Sequence, residues 1–198
     1  VVIARTDPHA TYDDAQAAHP DWIAVGADGR PRRHWASPEM WVTCGLGPHN
    51  FELMTAVKRE IMTRYRVDGI FVNRWDGSGM CFCPHCRTGF RAATGHDLPV
   101  ASSPPEVQRV HREWKESRLF ELWRVWDEAI RAINPDSCLI PNTGGGATSP
   151  LDMKRSGVLA PMLVADRQAR RGLMPPWAIG MNATEYRAVM GRKPVVGL

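Results

Sequence analysis

The stretch of sequence that decides the fold is Asp68-Gly-Ile-Phe-Val-Asn73, followed by Arg74-Trp-Asp-Gly-Ser-Gly-Met-Cys-Phe-Cys-Pro-His-Cys86. The turn signal Asp68-Gly69 precedes three apolar residues and a polar tip, which is the pattern of a buried β-strand. A polar segment rich in Gly, Cys and Pro follows, and we assign it to an insertion at about residues 74–105. In parallel βα folds, polar tips of this kind line the ligand cleft.

The alternation of strand-like and helical patterns continues to both sides of this stretch. Strands are predicted at residues 1–6, 70–73, 138–141, 162–165 and 195–198, and helices at 50–66, 87–94, 106–133, 151–156 and 183–190. Such alternation predicts an α/β fold with parallel strands. A complete (β/α)8 TIM barrel needs about 250 residues, so we expect a partial barrel of about five of the eight βα units. An open doubly wound sheet is the alternative, although the sequence has no glycine-rich nucleotide-binding motif.

Composition excludes several classes of protein. The chain has 198 residues, of which 43% are hydrophobic and 23% charged, and no apolar run approaches the roughly 20 residues of a membrane helix. Its net charge of +4 is scattered, so we predict no nucleic-acid partner and no membrane partner. The chain starts and stops on strand-like runs, and we expect a single partial domain, residues 1–198, of a longer protein. Its localisation stays open.

The cysteines predict a metal site. Cys81, Cys83 and Cys86 form a C-x-C-x-x-C knuckle, and Cys44 lies upstream in another loop. Four thiolates can surround a structural Zn²⁺ ion tetrahedrally, leaving no open position for catalysis. His85 is an alternative ligand, but its place inside the knuckle favours an outward orientation. Free thiols or a disulfide pair are the other interpretation.

Polar side chains at the predicted strand ends are candidate ligand contacts, because these ends meet at one edge of a parallel sheet. The candidates are Arg5, Asp7, Asn73, Arg74, Asn142 and Arg167, with His34 and Trp75 as aromatic contacts. Carboxylates, amides, guanidinium groups and an indole suit a polyhydroxylated ligand such as a sugar. For Trp75, stacking on a ligand and packing in the core are equally open.

Two carboxyl groups are candidates for the acid–base chemistry of glycoside cleavage. Asp76 is the better placed of them, three residues beyond a strand tip. Asp166 is the second, although the adjacent Arg167 also favours a structural ion pair.

The quoted stretch, together with Thr94-Gly-His-Asp-Leu-Pro99, His19-Pro-Asp-Trp22 and the segment 165–172, resembles the bacterial barrel proteins termed hypothetical glycosyl hydrolase family 6. The resemblance covers most of the chain. It implies a glycosidase-like barrel that acts on a carbohydrate and a homo-oligomer formed through a domain outside this chain.

The knuckle is also similar to that of family 42 β-galactosidases, in which four cysteines bind zinc near the active face. By that resemblance Cys44, Cys81, Cys83 and Cys86 are the zinc ligands. The same family has an Asn-Glu pair at its fourth strand, with the Glu as general acid; Asn73 matches the Asn, but Arg74 replaces the Glu. Residues 70–73 would then form the fourth barrel strand, which places the nucleophile at or beyond residue 198.

These observations leave two main functions open. The first is a glycoside hydrolase, β-galactosidase-like or a related exo-glycosidase, with Asp76 as acid, Asn73 and Arg74 on sugar hydroxyls and Trp75 as a stacking wall. The alternative is a catalytically degenerate barrel that binds carbohydrate without cleaving it, which Arg74 favours. A zinc-ribbon nucleic-acid module is a third interpretation, disfavoured by the long apolar helices.

Overall fold

The structure, a computed structural model, describes residues 1–77, 79–143, 146–165, 175, 177–192 and 195–197. The strands are β1 (Ile3–Thr6), β2 (Ala10–Thr11), β3 (Trp41–Val42), β4 (Gly69–Asn73), β5 (Cys138–Asn142), β6 (Leu163–Ala165) and β7 (Val195–Gly197). The helices are α1 (Ala15–Ala18), α2 (Met54–Arg64), α3 (Pro84–Thr94), α4 (Pro105–Arg131), α5 (Met153–Leu159) and α6 (Ala178–Met190). Among the described helices, none combines the length and apolar character needed to cross a membrane.

The central sheet is parallel and has the strand order β1-β4-β5. Its register pairs Arg5 with Phe71 and Phe71 with Ile140. Successive side chains along β4 point to opposite faces of the sheet. Ile70 therefore belongs to the main core with the helices, whereas Phe71 and Ile140 form a separate cluster with Val164 of β6 on the other face. The sheet is thus buried on both faces, as parallel sheets require.

Close approach of β4 and β5 explains the glycine at the start of β4. A Cβ atom on Gly69 would lie 2.9 Å from the carbonyl oxygen of Cys138. Any larger residue would push the two strands apart at the point where their pairing begins.

The helix α4 carries the apolar face that its sequence predicts. Leu119, Leu122, Trp126 and Ile130 are all fully buried at spacings of three and four. Ile133 is 41% exposed because it lies beyond the end of the helix. The buried apolar face therefore ends where the helix ends.

The start of α2 differs from the prediction. The helix predicted at 50–66 begins at Met54, because a π-helical turn, His49–Leu53, precedes it. The buried side chain of Asn50 donates to the carbonyl of Gly45 at 3.2 Å and anchors the preceding loop.

The α/β architecture with parallel strands is confirmed, but the described residues do not form a closed barrel. β6 and β7 make a parallel pair of their own, and β2 and β3 make a short antiparallel pair that was not predicted. The antiparallel pair lies within the long segment between β1 and α2, for which no strand or helix is predicted. Strands of two residues carry too little periodicity to be recognised in a sequence.

Candidate functional sites

The four cysteines of the predicted metal site lie together. Their Sγ atoms are all within 4.8 Å of one another. The Sγ of Cys44 lies 3.4 Å from that of Cys86 and 3.7 Å from that of Cys83. Tetrahedral Zn²⁺ with Zn–S bonds of about 2.3 Å requires sulfur atoms about 3.8 Å apart. The donor set and its spacing therefore fit a four-thiolate metal ion.

Two separate segments bring these sulfur atoms together. Cys44 follows β3, and its backbone N–H donates to the carbonyl of Trp22 at 2.8 Å. Cys83 immediately precedes α3, and Cys86 lies in the first turn of that helix. His85, on the same turn, is exposed, so the described geometry does not make it a ligand. A metal ion here would join the loop after β3 to the start of α3.

The hydrogen bonds around Cys81 favour its thiolate form. The thiol of Cys44 and the other two cysteine side chains bond to its sulfur and lower the pKa of Cys81 far below the usual thiol range. The backbone N–H groups of Val25 and Cys83 also donate to this sulfur, each at 3.4 Å. The pKa of Cys44, by contrast, is raised well above the usual thiol range by hydrogen bonds to the other three cysteines and by burial, so a metal ion bound here would displace its proton.

Asp76 lies beside the cysteines. A small cavity of about 20 Å³ is lined by Asp76, Lys115, Cys44 and Cys86, among others. Burial lowers the pKa of Lys115, and the charge of Asp76 partly opposes this effect. The side chain predicted as the general acid therefore faces a lysine and the metal site.

The ends of β1, β4 and β5 carry a continuous polar network, which we call the strand-end network: Arg5, Asp7, Asn73 and Asn142. Arg5 donates to both carboxylate oxygens of Asp7 at 3.0 Å. The amide of Asn73 donates to Asp7 at 2.6 Å, and the amide of Asn142 donates to Asn73 at 2.9 Å. Four of the predicted ligand contacts thus lie side by side across three parallel strands.

The hydrogen-bond partners of Asp7 stabilise its charged form. Burial alone would raise its pKa, but hydrogen bonds from Arg5 and Asn73 outweigh this effect and lower the pKa below the usual value of 3.8. Asp7 is therefore ionised at neutral pH and acts as a hydrogen-bond acceptor.

A group of aromatic and basic side chains adjoins the strand-end network; it consists of His9, His34, Trp35 and Arg74, and we call it the basic–aromatic group. The guanidinium of Arg74 lies 4.5 Å from the ring centre of Trp35. The rings of His34 and His9 lie 4.0 and 5.9 Å from that of Trp35. Trp35 is 55% exposed, so part of its side chain next to the network is accessible to a ligand.

His9 and Trp35 are the members of this group that were not predicted as site residues, and His9 is the more buried of the two. It is buried, burial lowers its pKa, and the charges of Arg74 and His34 lower it further against the opposing charge of Asp7. Its Nδ1 has no hydrogen-bond partner among the described residues. Its position two residues after Asp7, just beyond a strand end, was the available signal.

Trp75 is corrected by the structure. Its side chain is fully buried and packs edge-on against Trp123 and Phe120, with ring centres 5.0 and 5.8 Å away. Trp75 therefore forms part of the core and presents no face to a sugar. Asp166 and Arg167, the remaining predicted site residues, lie outside the described residues.

A wider cavity of about 790 Å³ lies between α4 and the cysteine segment and is lined by Met80, Phe82, His111, Lys115 and Leu151, among others. None of the strand-end network lines it. The cavity is a feature separate from the strand ends.

Comparison with solved structures identifies the class of fold. The chain is similar to a β-galactosidase from the psychrophilic Marinomonas ef1, with a TM-score of 0.72, 12% identity, and coverage of 100% of this chain and 38% of that one. It is also similar to the β-galactosidase of the haloarchaeon Halorubrum lacusprofundi, with a TM-score of 0.70, 16% identity, and coverage of 96% and 36%. An α-L-fucosidase isoenzyme from Paenibacillus thiaminolyticus matches with a TM-score of 0.60, 19% identity, and coverage of 83% and 23%.

The chain therefore has the fold of part of a glycosidase, and it spans well under half the length of these structures. No family model matches the sequence, and the comparison with curated proteins gave no match. The clustering of Cys44 with Cys81, Cys83 and Cys86 agrees with the four-cysteine site that the resemblance to family 42 β-galactosidases implies.

Proposed function

We propose that this chain is the sugar-binding part of a glycoside hydrolase with a (β/α)8 barrel, and that the whole protein cleaves a glycosidic bond at the carboxyl ends of β1, β4 and β5. The observation that carries the proposal is the strand-end network, in which Arg5, Asp7, Asn73 and Asn142 meet at one edge of the sheet. This edge is where (β/α)8 enzymes bind their substrates. The similarity to several glycosidases and the resemblance to hypothetical glycosyl hydrolase family 6 support it.

Each member of the network suits a sugar. The ionised carboxylate of Asp7 accepts hydrogen bonds from hydroxyl groups, and the amides of Asn73 and Asn142 both donate and accept. The guanidinium of Arg5 holds Asp7 in place through two hydrogen bonds. The exposed part of Trp35 offers an apolar surface for the C–H face of a sugar ring.

Glycoside hydrolysis needs one carboxyl group as proton donor and a second as nucleophile or base. Asp7 does not suit the donor role, because its low pKa keeps it ionised at neutral pH. Asp7 suits the role of nucleophile or base, or the binding of a sugar hydroxyl group. Asp166, after β6, remains a candidate for the second carboxyl group.

We also propose that Cys44, Cys81, Cys83 and Cys86 hold a structural Zn²⁺ ion. A zinc ion with four thiolate ligands has no open position, so it supplies cross-linking and no catalysis. Its effect would be to fix the loop after β3 to the start of α3. The long segment between β1 and α2 carries His34 and Trp35, and Cys44 lies in the same segment.

Recognition of a carbohydrate without cleavage is the second candidate function. It is favoured by Arg74, which stands where the family 42 resemblance places the acid, and by Asp76, which lies beside Lys115. In that case the strand-end network would bind a sugar but no proton donor would face it.

The deciding experiment uses the full-length protein with a panel of aryl glycosides and oligosaccharides, measuring product release and, separately, binding. We expect release from at least one substrate, and a loss of at least about tenfold in kcat/KM for Asp7→Asn. The matched control is Asp97→Asn, which removes an exposed carboxylate paired with Arg91. Binding without product release would establish the second candidate, and absence of both would refute the proposal.

A further inference from the structure

We propose that the sugar bound at the strand ends carries a negative charge, either a carboxylate or a sulfate ester, which Arg74 and His34 receive. This inference rests on the proposed function and narrows its substrate class. It is carried by the geometry of the basic–aromatic group next to the strand-end network.

Arg74 has a special backbone conformation. Its φ is 47°, in the left-handed region, and it is the only described residue other than glycine with a positive φ. Such a conformation is costly for a residue with a long side chain and is typical of functional sites. It occurs directly after Asn73, so the turn places Arg74 beside the strand-end network.

The guanidinium of Arg74 is free to bind an anion. Its planar group lies over the ring of Trp35 at 4.5 Å, which occupies one face. The N–H donors of a guanidinium lie in its plane, so stacking leaves them available along the edges. Among the described residues, no carboxylate forms an ion pair with Arg74.

The one carboxylate of the strand-end network is already engaged. Asp7 receives two hydrogen bonds from Arg5 and a short one from Asn73, at 2.6 Å. The charges of Arg5 and Asp7 therefore compensate each other, whereas that of Arg74 has no such counterpart among the described residues. An uncompensated guanidinium favours a negatively charged sugar over a neutral one, because its hydrogen bonds to an anionic group are charge-assisted and therefore stronger.

His34 supplies a second donor beside Arg74. Its Nδ1 accepts hydrogen bonds from the backbone N–H groups of Ala36 and Ser37, at 3.3 and 3.1 Å. In the neutral ring the proton therefore lies on Nε2, which acts as the donor. The ring lies 4.0 Å from that of Trp35, so Arg74 and His34 flank the same indole.

The test compares sugars that differ only in charge, using the full-length protein and calorimetric titration. Glucuronide, galacturonide and sulfated galactoside ligands are each measured against their neutral counterparts. We expect at least one charged sugar to bind about tenfold or more tightly than its counterpart. In Arg74→Gln that preference falls to about twofold or less, because the charged sugar loses more affinity than its neutral counterpart.

The matched control is Arg124→Gln, which removes an exposed arginine on α4 paired with Glu128. We expect Arg124→Gln to bind the charged sugar more tightly than the neutral one, as the unaltered protein does. Comparing the uronides with the sulfated galactoside shows whether a carboxylate or a sulfate ester is the group that binds. Equal binding of charged and neutral sugars by the unaltered protein overturns this inference but leaves the proposed function intact. Absence of binding by any sugar overturns both. If Arg74→Gln fails to fold, the preference of the unaltered protein decides the question.

Discussion

The side-chain amide of Asn142 donates to the side-chain oxygen of Asn73 at 2.9 Å, and the two residues are register partners on β5 and β4. Each lies at the last position of its strand, so the hydrogen bond continues the pairing of the sheet into its side chains. Asn142 is buried and fixed, whereas Asn73 reaches on to Asp7. The carboxylate is therefore positioned by a chain of contacts that begins in the core.

A double-mutant cycle on Asn73 and Asn142 tests whether this chain acts as a unit. We expect Asn73→Ala and Asn142→Ala each to weaken sugar binding by about fivefold or more, because each leaves a polar partner unsatisfied. The double variant should lose less binding free energy than the two single variants together, with a coupling energy of about 1 kcal/mol. Calorimetric titration of the full-length protein gives the four affinities. Strict additivity would contradict the linkage.

The polar residues at the strand ends could be predicted from sequence, but the positions of the residues that follow β4 could not. Asn73 and Asn142 are predictable because apolar runs end on them and parallel strands share an edge. The alternation of side chains stops at Arg74, whose left-handed conformation turns the chain. Trp75 consequently enters the core, and Asp76 turns toward Lys115. The left-handed conformation of Arg74 therefore explains why Trp75 and Asp76 lie away from the predicted sugar site.

The cysteines were easier to interpret than His9. Their spacing is a local signal with few structural explanations, so Cys44 and the knuckle could be grouped from sequence alone. His9 carries no motif, and its place beside Trp35 depends on how the long segment between β1 and α2 folds back. Contacts between distant segments of this kind leave no periodic trace in the sequence.

The proposed zinc site predicts a selective effect of cysteine substitution. We expect the purified protein to contain about one zinc ion per chain and Cys86→Ser to lose it, because a buried thiolate ligand is removed. The midpoint of thermal unfolding should fall by about 5–10 °C. Elemental analysis and calorimetry measure the two quantities.

Cys138→Ser is the control for this substitution. Cys138 lies on β5 outside the cluster, so its variant should retain zinc and respond to a chelator as the unaltered protein does. Equal zinc content in the Cys86 and Cys138 variants would show that the four sulfur atoms do not bind the ion.

Asp76→Asn separates a structural role from a catalytic one. Because Asp76 faces Lys115 beside the cysteines, we expect the variant to lose thermal stability and to release zinc faster to a chelator. The pH profile of kcat should keep its shape. A selective fall in kcat, with the alkaline limb of the profile lost and zinc retention unchanged, would instead identify Asp76 as the catalytic acid.

The buried Lys58 should make the free energy of unfolding depend on pH. Its ammonium is fully buried between α2 and α4, 3.8 Å from the ring centre of Trp126, and burial lowers its pKa to about 7. The unfolded chain keeps this lysine protonated up to about pH 10. Between these values the unfolded state binds more protons, so the free energy of unfolding rises with pH, by up to about 3 kcal/mol from pH 7 to 10.

Lys58→Met removes this contribution while keeping a side chain of similar length against Trp126. We expect the variant to be more stable than the unaltered protein at pH 7, because no charge is buried, and the difference to shrink toward pH 10. Urea unfolding of both proteins at several pH values gives the comparison, and Lys154→Met, at an exposed lysine on α5, is the control. A difference that stays constant across this range would show that Lys58 is charged in the folded protein throughout, and so has a partner for its charge.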